Sequence, residues 1–373
     1  MRSNAVRHDS ISCDFPSVTQ ASTGHVPALD GLRGLAALYV MFFHYFANQA
    51  QTVPVLGVFI HYGFTGVALF FVLSGYLITR ILIEQRKSRY YWKAFYLRRA
   101  LRILPLYFFV VFLGFALLKY MGTRFYGRIP PLSPFLMLSV EFWMSWNNIS
   151  EIWGPLSVLW SIGVEEKFYL MIAPAARAVR PRFLGASLLL ALFAILAINL
   201  ARLHYGWGGL WGYCSKWGPE ALLVGSFLAC LTTGICLENP RTRAASWVLL
   251  LGGAFLVFFP FGLSHLARTT FQARFSFFYA SILFFLLTHS ESILAHILGS
   301  GALSWLGKIS FGIYMFHLLV SFLASVIVRK LGVISDVLVP AACVLGTLLL
   351  ATLSYEFFEK RFIAWGRNRA PWN

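Results

Sequence analysis

Asp30, Arg33 and His44 lie in the stretch ALDGLRGLAALYVMFFHYF, where most other residues are apolar types that suit lipid. Eleven residues separate Arg33 from His44. On an α-helix that spacing leaves the two within about 20° of one face and about 16 Å apart along the axis. Asp30 sits one turn before Arg33 and can pair with it. One stripe of this helix is therefore a carboxylate, a guanidinium and an imidazole. An imidazole titrates near neutrality and suits removal of a proton from a hydroxyl. A charged group at mid-membrane costs about 2.5–3.5 kcal/mol on insertion scales, and such groups face a bundle interior or a water-filled cavity. The stripe reads either in that way or as a snorkelling arginine and an interfacial histidine.

Two further segments carry costly residues. In LWSIGVEEKFYLMIAP, Glu165, Glu166 and Lys167 interrupt an apolar helix, and Tyr169 shares a face with both glutamates. Adjacent carboxylates in a span need a partner or a proton. The segment reads as an interfacial helix or as one that puts a carboxylate in the same cavity as His44. In YLRRALRILPLY, Arg98, Arg99 and Arg102 open a helix, with 98/102 and 99/102 stacked on one side. Guanidinium forks suit phosphate oxygens, and the same cluster also fits a plain cytoplasmic charge belt.

The elements that must position these residues are membrane spans. Of 373 residues, 58% are hydrophobic and only 12% charged, about half the charged share of a soluble domain. The mean hydropathy of +0.70 agrees. The reading is an all-α polytopic transmembrane helix bundle of about ten spans, at approximately 29–47, 63–83, 102–119, 159–176, 184–201, 213–234, 246–262, 274–289, 308–328 and 335–355. Residues 1–27 read as a polar, disordered tail, 28–358 as the membrane domain and 359–373 as a short basic tail. No apolar leader precedes the first span, which is therefore expected to be retained.

The net charge of +17 does not form a basic face for nucleic acid. It clusters between apolar runs, at Arg86 to Arg102, Arg177 to Arg182, Arg241 and Arg243, and Lys360 to Arg369. With ten spans these loops share one side, the cytoplasm, together with both termini. The expected location is a cell membrane, the bacterial inner membrane. The expected contacts are membrane lipids or an anionic cofactor. The longest outer loop, about 120–158, holds Trp143, Trp146 and Trp153, which suit interfacial anchoring or stacking on sugars. A formal glycosylation sequon begins at Asn148. The five cysteines form no C-x-x-C pair and read as small buried hydrophobes. No metal-ligand spacing occurs.

At these residues the chain resembles the membrane acyltransferase family often called acyltransferase 3, whose members O-acylate glycans, lipids and antibiotics. LDGLRGLAALYVMFFH is similar to its first-helix motif and FFVLSGYLITRIL to its second helix. YLRRALRILPLY is similar to its R-x-x-R-I-x-P segment and LWSIGVEEKFYL to its W-S-x-x-V-E-E-x-F-Y motif. WLGKISFGIYMFH, ending at His317, resembles its late motif, with Phe311 where tyrosine is usual. Lys167 replaces the usual glutamine, and YEFFEKRFI departs from the usual E-R-P wording. The resemblance implies catalytic roles for His44, Arg33, Glu166 and Glu165. It implies acyl-donor binding by Arg98 and Arg102, and Arg99 beside them suits the same phosphates. It implies substrate or structural support from Asp30, Tyr169, Trp160, Ser161 and His317.

The activity so implied is O-acetylation: transfer of an acyl group, most often acetyl, from cytoplasmic acetyl-CoA to a hydroxyl of a glycan, lipid-linked glycan or small molecule, without a metal. The donor's phosphates would seat on the arginines and its long arm would thread toward His44. His44 would act as general base, with Glu166 orienting it, or as acyl carrier. Some relatives carry an extracytoplasmic esterase-like domain. This chain is expected to lack one and to act alone or with a partner in glycan synthesis or export. The competing classes are a multi-span transporter or exporter of a glycan or small molecule, and a non-catalytic subunit of an export complex.

Overall fold

The computed structural model describes residues 26–47, 49, 54–121, 129–147, 149, 154–205, 218–259, 270–332 and 337–372. The tail 1–25, the sequon at Asn148, Trp153, Cys13 and Cys214 lie outside them. Among the described residues there is helix and no strand.

In chain order the helices are α1 (Pro27–Phe46), α2 (Pro54–His61), α3 (Gly66–Glu84), α4 (Tyr91–Met121), α5 (Ser133–Leu136), α6 (Val140–Trp146), α7 (Trp160–Ala178), α8 (Pro181–Tyr205), α9 (Pro219–Thr232), α10 (Pro240–Phe258), α11 (Phe271–Thr288), α12 (Ile293–Leu298), α13 (Gly301–Leu331), α14 (Leu338–Ser354) and α15 (Lys360–Arg369). Proline opens α1, α9 and α10 at the first or second helical position, where its missing N–H is no loss. The Asn239 side chain caps α10 by accepting from Arg241 N at 2.9 Å. Gly332, at φ 66°, ends the 31-residue α13 in the left-handed conformation that L side chains avoid.

Every expected span has a helix, and the chain is an all-α polytopic membrane bundle. Seven stretches are long and apolar enough to cross a membrane: α2 running into α3, α4, α8, α10, α11, α13, and α14 running into α15. Helices α1, α7 and α9 are not among them. The first two carry the charged residues singled out above, and α9 has only 14 residues. Boundaries differ where polar residues continue a helix. Helix α4 begins at Tyr91, so the arginines lie well inside it. At the basic end a π-helical turn at Tyr355–Glu359 joins α14 to α15, which packs on α4. The expected outer loop folds into α5 and α6.

Lipid supplies no hydrophobic drive between helices, so close packing must hold them together. Two seams show how. Helix α1 lies against α12 and α13, where Cβ atoms at Gly31 and Gly307 would strike the backbone of Leu298 and Asp30, and one at Gly34 would strike Leu306 and Gly307. Helix α3 meets α9 the same way, with Gly75 against the Leu222 carbonyl and Gly225 against that of Val72. Gly307→Ala is expected to destabilise the protein by about 1–3 kcal/mol, the cost of overpacking a rigid contact. Gly252→Ala, with nothing within 4 Å of the added methyl, is expected to leave stability unchanged or slightly raised. Thermal unfolding of the two purified variants checks this, and equal melting temperatures would show that the seam is not tight.

Candidate active site

The stripe on α1 faces inward and reaches two cavities. At its C-terminal end His44 is exposed to a cavity of about 370 Å³, shared with Phe43, Phe64, Phe71, Trp160, Ser157, Gln272 and Tyr314 among others. The His44 Nδ1 lies 2.9 Å from the Val40 carbonyl. A carbonyl only accepts, so Nδ1 carries the proton and Nε2 keeps its lone pair. His317 on α13 repeats the arrangement: its Nδ1 donates to Tyr314 O at 2.7 Å. Its Nε2 is buried with no hydrogen-bond partner among the described residues. The two imidazole centroids are 4.9 Å apart. Tyr45 fixes the backbone behind them, donating to His317 O at 2.6 Å and bonding Thr347 Oγ1 at 2.7 Å. Two imidazoles thus lie side by side, each held in one tautomer by a backbone carbonyl: His44 opens on the cavity, and His317 is buried behind it.

Among the described residues no carboxylate lines this cavity, so the expectation that Glu165 or Glu166 shares it with His44 is corrected. Trp160, at the start of α7, reaches the cavity, but Glu165 is five residues further along the helix, about 7.5 Å deeper. Glu165 instead lines a second pocket of about 50 Å³ with Arg33, Ser74, Ser161, Ser310 and Tyr314. Glu165 accepts a hydrogen bond from the Tyr169 hydroxyl. Glu166 lines neither cavity, and its Oε1 is buried without a partner among the described residues. The role of orienting His44 therefore has no geometric support in Glu166. His317 occupies the neighbouring position.

The second pocket is electrostatically dense. Beyond the cost of burial itself, the charges acting on Arg33 are, strongest first, those of Arg102, Glu165, Arg99 and Asp30. The Arg99 guanidinium lies 5.9 Å from the Tyr169 ring centroid, a cation–π contact. Among the described residues Arg33, Arg99 and Arg102 make no hydrogen bond or ion pair. Arg99 and Arg102 do not line the pocket, but their charges act on Arg33, and guanidinium groups so grouped suit an anion with several oxygens. Arg98 is not part of this group. Its Nε donates to Ala370 O at 2.8 Å, and its guanidinium lies over the Trp372 ring at 5.5 Å. Ser88 also donates to Trp372 O, so Arg98 belongs to a clasp that holds the 370–372 segment on the bundle. Among the described residues no group of three or more His, Cys, Asp or Glu is arranged to hold a metal ion.

Sequence reasoning missed two charged residues. Glu359, on the π-helical turn, is buried, accepts from Ser354 Oγ at 2.9 Å and feels the charge of Arg102. With Glu356, Lys360 and Arg361 beside it, Glu359 reads in the sequence as one more charge at a helix end, and a π turn leaves no mark in the spacing. Glu141, on α6, is fully buried and bonded to Lys167. Lys167 also donates to Leu138 O at 2.5 Å and Gly163 O at 3.3 Å. Gly163 leaves the space that Glu141 fills, because a methyl there would meet its carboxylate.

Against known families, residues 26–356 match a model described as an acyltransferase domain. Among curated proteins, the peptidoglycan O-acetyltransferase OatA of Listeria monocytogenes is 29% identical, the match covering 91% of this chain and 56% of that protein. The putative peptidoglycan O-acetyltransferase YrhL of Bacillus subtilis is 28% identical over 90% of this chain and 54% of its own length. The O-acetyltransferase OatA of Staphylococcus aureus is 27% identical over 91% and 57%. The chain spans little more than half the length of these relatives. No solved structure matches it.

The Lys167–Glu141 pair yields a test of local structure. Lys167→Gln leaves a buried carboxylate without its cation and is expected to cost about 3 kcal/mol or more. Glu141→Gln added to that variant removes the stranded charge and is expected to recover most of the loss. Unfolding midpoints of the single and double variants check it. An additive double variant would show that the two side chains do not interact.

Proposed function

We propose that this chain, which belongs to the acyltransferase family, transfers an acetyl group from acetyl-CoA to a hydroxyl of a cell-wall or surface glycan. The observation that carries the reading is the pair of adjoining cavities along α1. One presents Arg33, with the charges of Arg99 and Arg102 acting on it, and the other an imidazole with a free lone pair. Acetyl-CoA joins a polyanionic head to a thioester through a long, thin arm. Arg33, Arg99 and Arg102 suit the phosphates of the head, each oxygen contact being charge-assisted. The arm leads along α1 toward His44.

His44 Nε2 then takes the proton of the acceptor hydroxyl. The oxygen attacks the thioester carbonyl, the new C–O bond forms and the C–S bond breaks. CoA leaves as the thiolate and recovers the proton from the imidazolium. His317, 4.9 Å away between centroids, places a second ring nitrogen with a lone pair beside the developing imidazolium. Glu165 and Glu166 hold the charge balance of the arginine pocket, and Tyr169 and Asp30 support it.

The acceptor lies at the histidine end. Aromatic faces from Phe43, Phe64, Phe71 and Trp160 suit sugar rings, and Gln272 and Ser157 suit their hydroxyls. The named activity of the relatives makes a peptidoglycan sugar the first acceptor to try. The arginine end faces the cytoplasm of a bacterial cell, with both termini on that side and the membrane multiply crossed. Trp143, partly buried against the core, anchors the outer segment, while the exposed Trp146 remains free to meet lipid or glycan.

Release of CoA from acetyl-CoA by purified protein in nanodiscs, with solubilised peptidoglycan fragments, tests the reading. His44→Ala is expected to lower acceptor-dependent release by about 10²-fold or more, the scale of a lost general base. Arg102→Gln is expected to raise KM for acetyl-CoA roughly tenfold, as for one charge-assisted phosphate contact, with a smaller change in kcat. Full activity in a folded His44→Ala variant would exclude the assignment.

A further inference from the structure

The two cavities on α1 share three wall residues, Val67, Phe71 and Tyr314. Val67 and Phe71 are four apart on α3 and therefore project from one face. Tyr314 comes from α13. From these observations we infer that the three side chains form a septum that selects acyl groups by width, admitting unbranched ones and excluding branched or aromatic ones. The inference rests on the acyl-transfer reading, because the septum lies on the route from the arginine pocket to His44.

Each wall is held. The Tyr314 hydroxyl bonds Ser161 Oγ at 2.7 Å and Val158 O at 3.2 Å, so the ring cannot swing aside without breaking both. The Phe71 ring stands edge-on to Trp160, with centroids 6.3 Å apart and planes at 86°. Val67 is β-branched and has one strongly preferred rotamer in a helix. The pocket on the arginine side is only about 50 Å³, whereas the histidine cavity is about 370 Å³. The narrow part thus comes before the septum and the roomy part after it.

In an acyl-CoA entering from the arginine side the acyl group leads. An acetyl or propionyl group is no wider than the arm that follows it, so whatever passes the arm passes the group. An isobutyryl group branches at the carbon next to the carbonyl, and a benzoyl group carries a ring there. Both are wider than the arm at the point that must reach His44. The large cavity beyond tolerates length, so discrimination falls on branching. Val67 is the wall whose truncation changes the gap most simply, because a valine side chain makes no hydrogen bond.

The experiment measures CoA release from acetyl-, propionyl-, isobutyryl- and benzoyl-CoA by the purified full chain in nanodiscs, with solubilised peptidoglycan fragments as acceptor. For the unaltered protein, acetyl and propionyl donors are expected to turn over and the other two to be at least about tenfold slower, as for a misfitting methyl in an apolar site. Val67→Ala is expected to raise the isobutyryl-to-acetyl ratio about tenfold. Phe71→Leu serves as a second widening variant, and Val67→Phe is expected to lower kcat for acetyl-CoA with less change in KM. Thermal unfolding of each variant guards against loss of fold. Acetyl turnover with an unchanged ratio in both widened variants would overturn the inference alone. No turnover of any donor by the unaltered protein would remove the acyl-transfer reading and the inference with it.

Discussion

Helix α1 can hold an arginine and a histidine inside a membrane bundle because α13 packs closely along it. The contact is between backbones: glycine at 34 and 307 lets α1 and α13 approach closely, and Gly31 does the same against α12. Once α13 is seated at that distance, the rest of the site follows from its register. Ser310 and Tyr314 fall beside the Arg33 pocket, and His317 falls beside His44. A wider separation would leave a guanidinium and an imidazole facing lipid, at the cost such groups carry there. Close packing and chemistry are therefore one constraint at this seam.

Charge is distributed along the bundle by partner choice. Lys167 lies next to two glutamates in sequence, yet it points at Glu141 on another helix. That leaves the carboxylates of α7 to face the arginines of α1 and α4. Arg98 is likewise drawn off by the 370–372 segment, while Arg99 and Arg102 remain together. Neighbours in sequence thus separate into structural pairs and an arginine cluster. The direction of each side chain around its helix, rather than its type, decides which group it joins.

Much of this was legible in the residues. Helical spacing alone put Asp30, Arg33 and His44 on one stripe, and the structure turns that stripe inward onto two cavities. Apolar runs located all ten helices expected to span. The sequence was less informative where an outcome depends on three-dimensional partners. Nothing in the spacing says that Glu165 and His44 lie at different depths, since α1 and α7 can slide past each other without changing either periodicity. Nothing says that His317, 272 residues beyond Tyr45, comes to rest against the same wall. The polar character of α1 and α7 was plain, but their dependence on neighbours for cover required the packing. The π turn at Glu359 adds a residue to one turn of helix, a change no periodic pattern registers.

The distance in sequence between the two imidazoles has a consequence for how the protein is made. Translation proceeds at about 5–20 residues per second. The 272 residues between Tyr45 and His317 therefore take about 14–54 s to synthesise at those rates. Through that interval the polar stripe of α1 has no α13 to cover it. It must wait at the interface, or beside the insertion machinery, or against α3, its other large neighbour. A newborn chain thus carries a temporary membrane defect of its own, and the arrival of α13 closes that defect and builds the site in the same event.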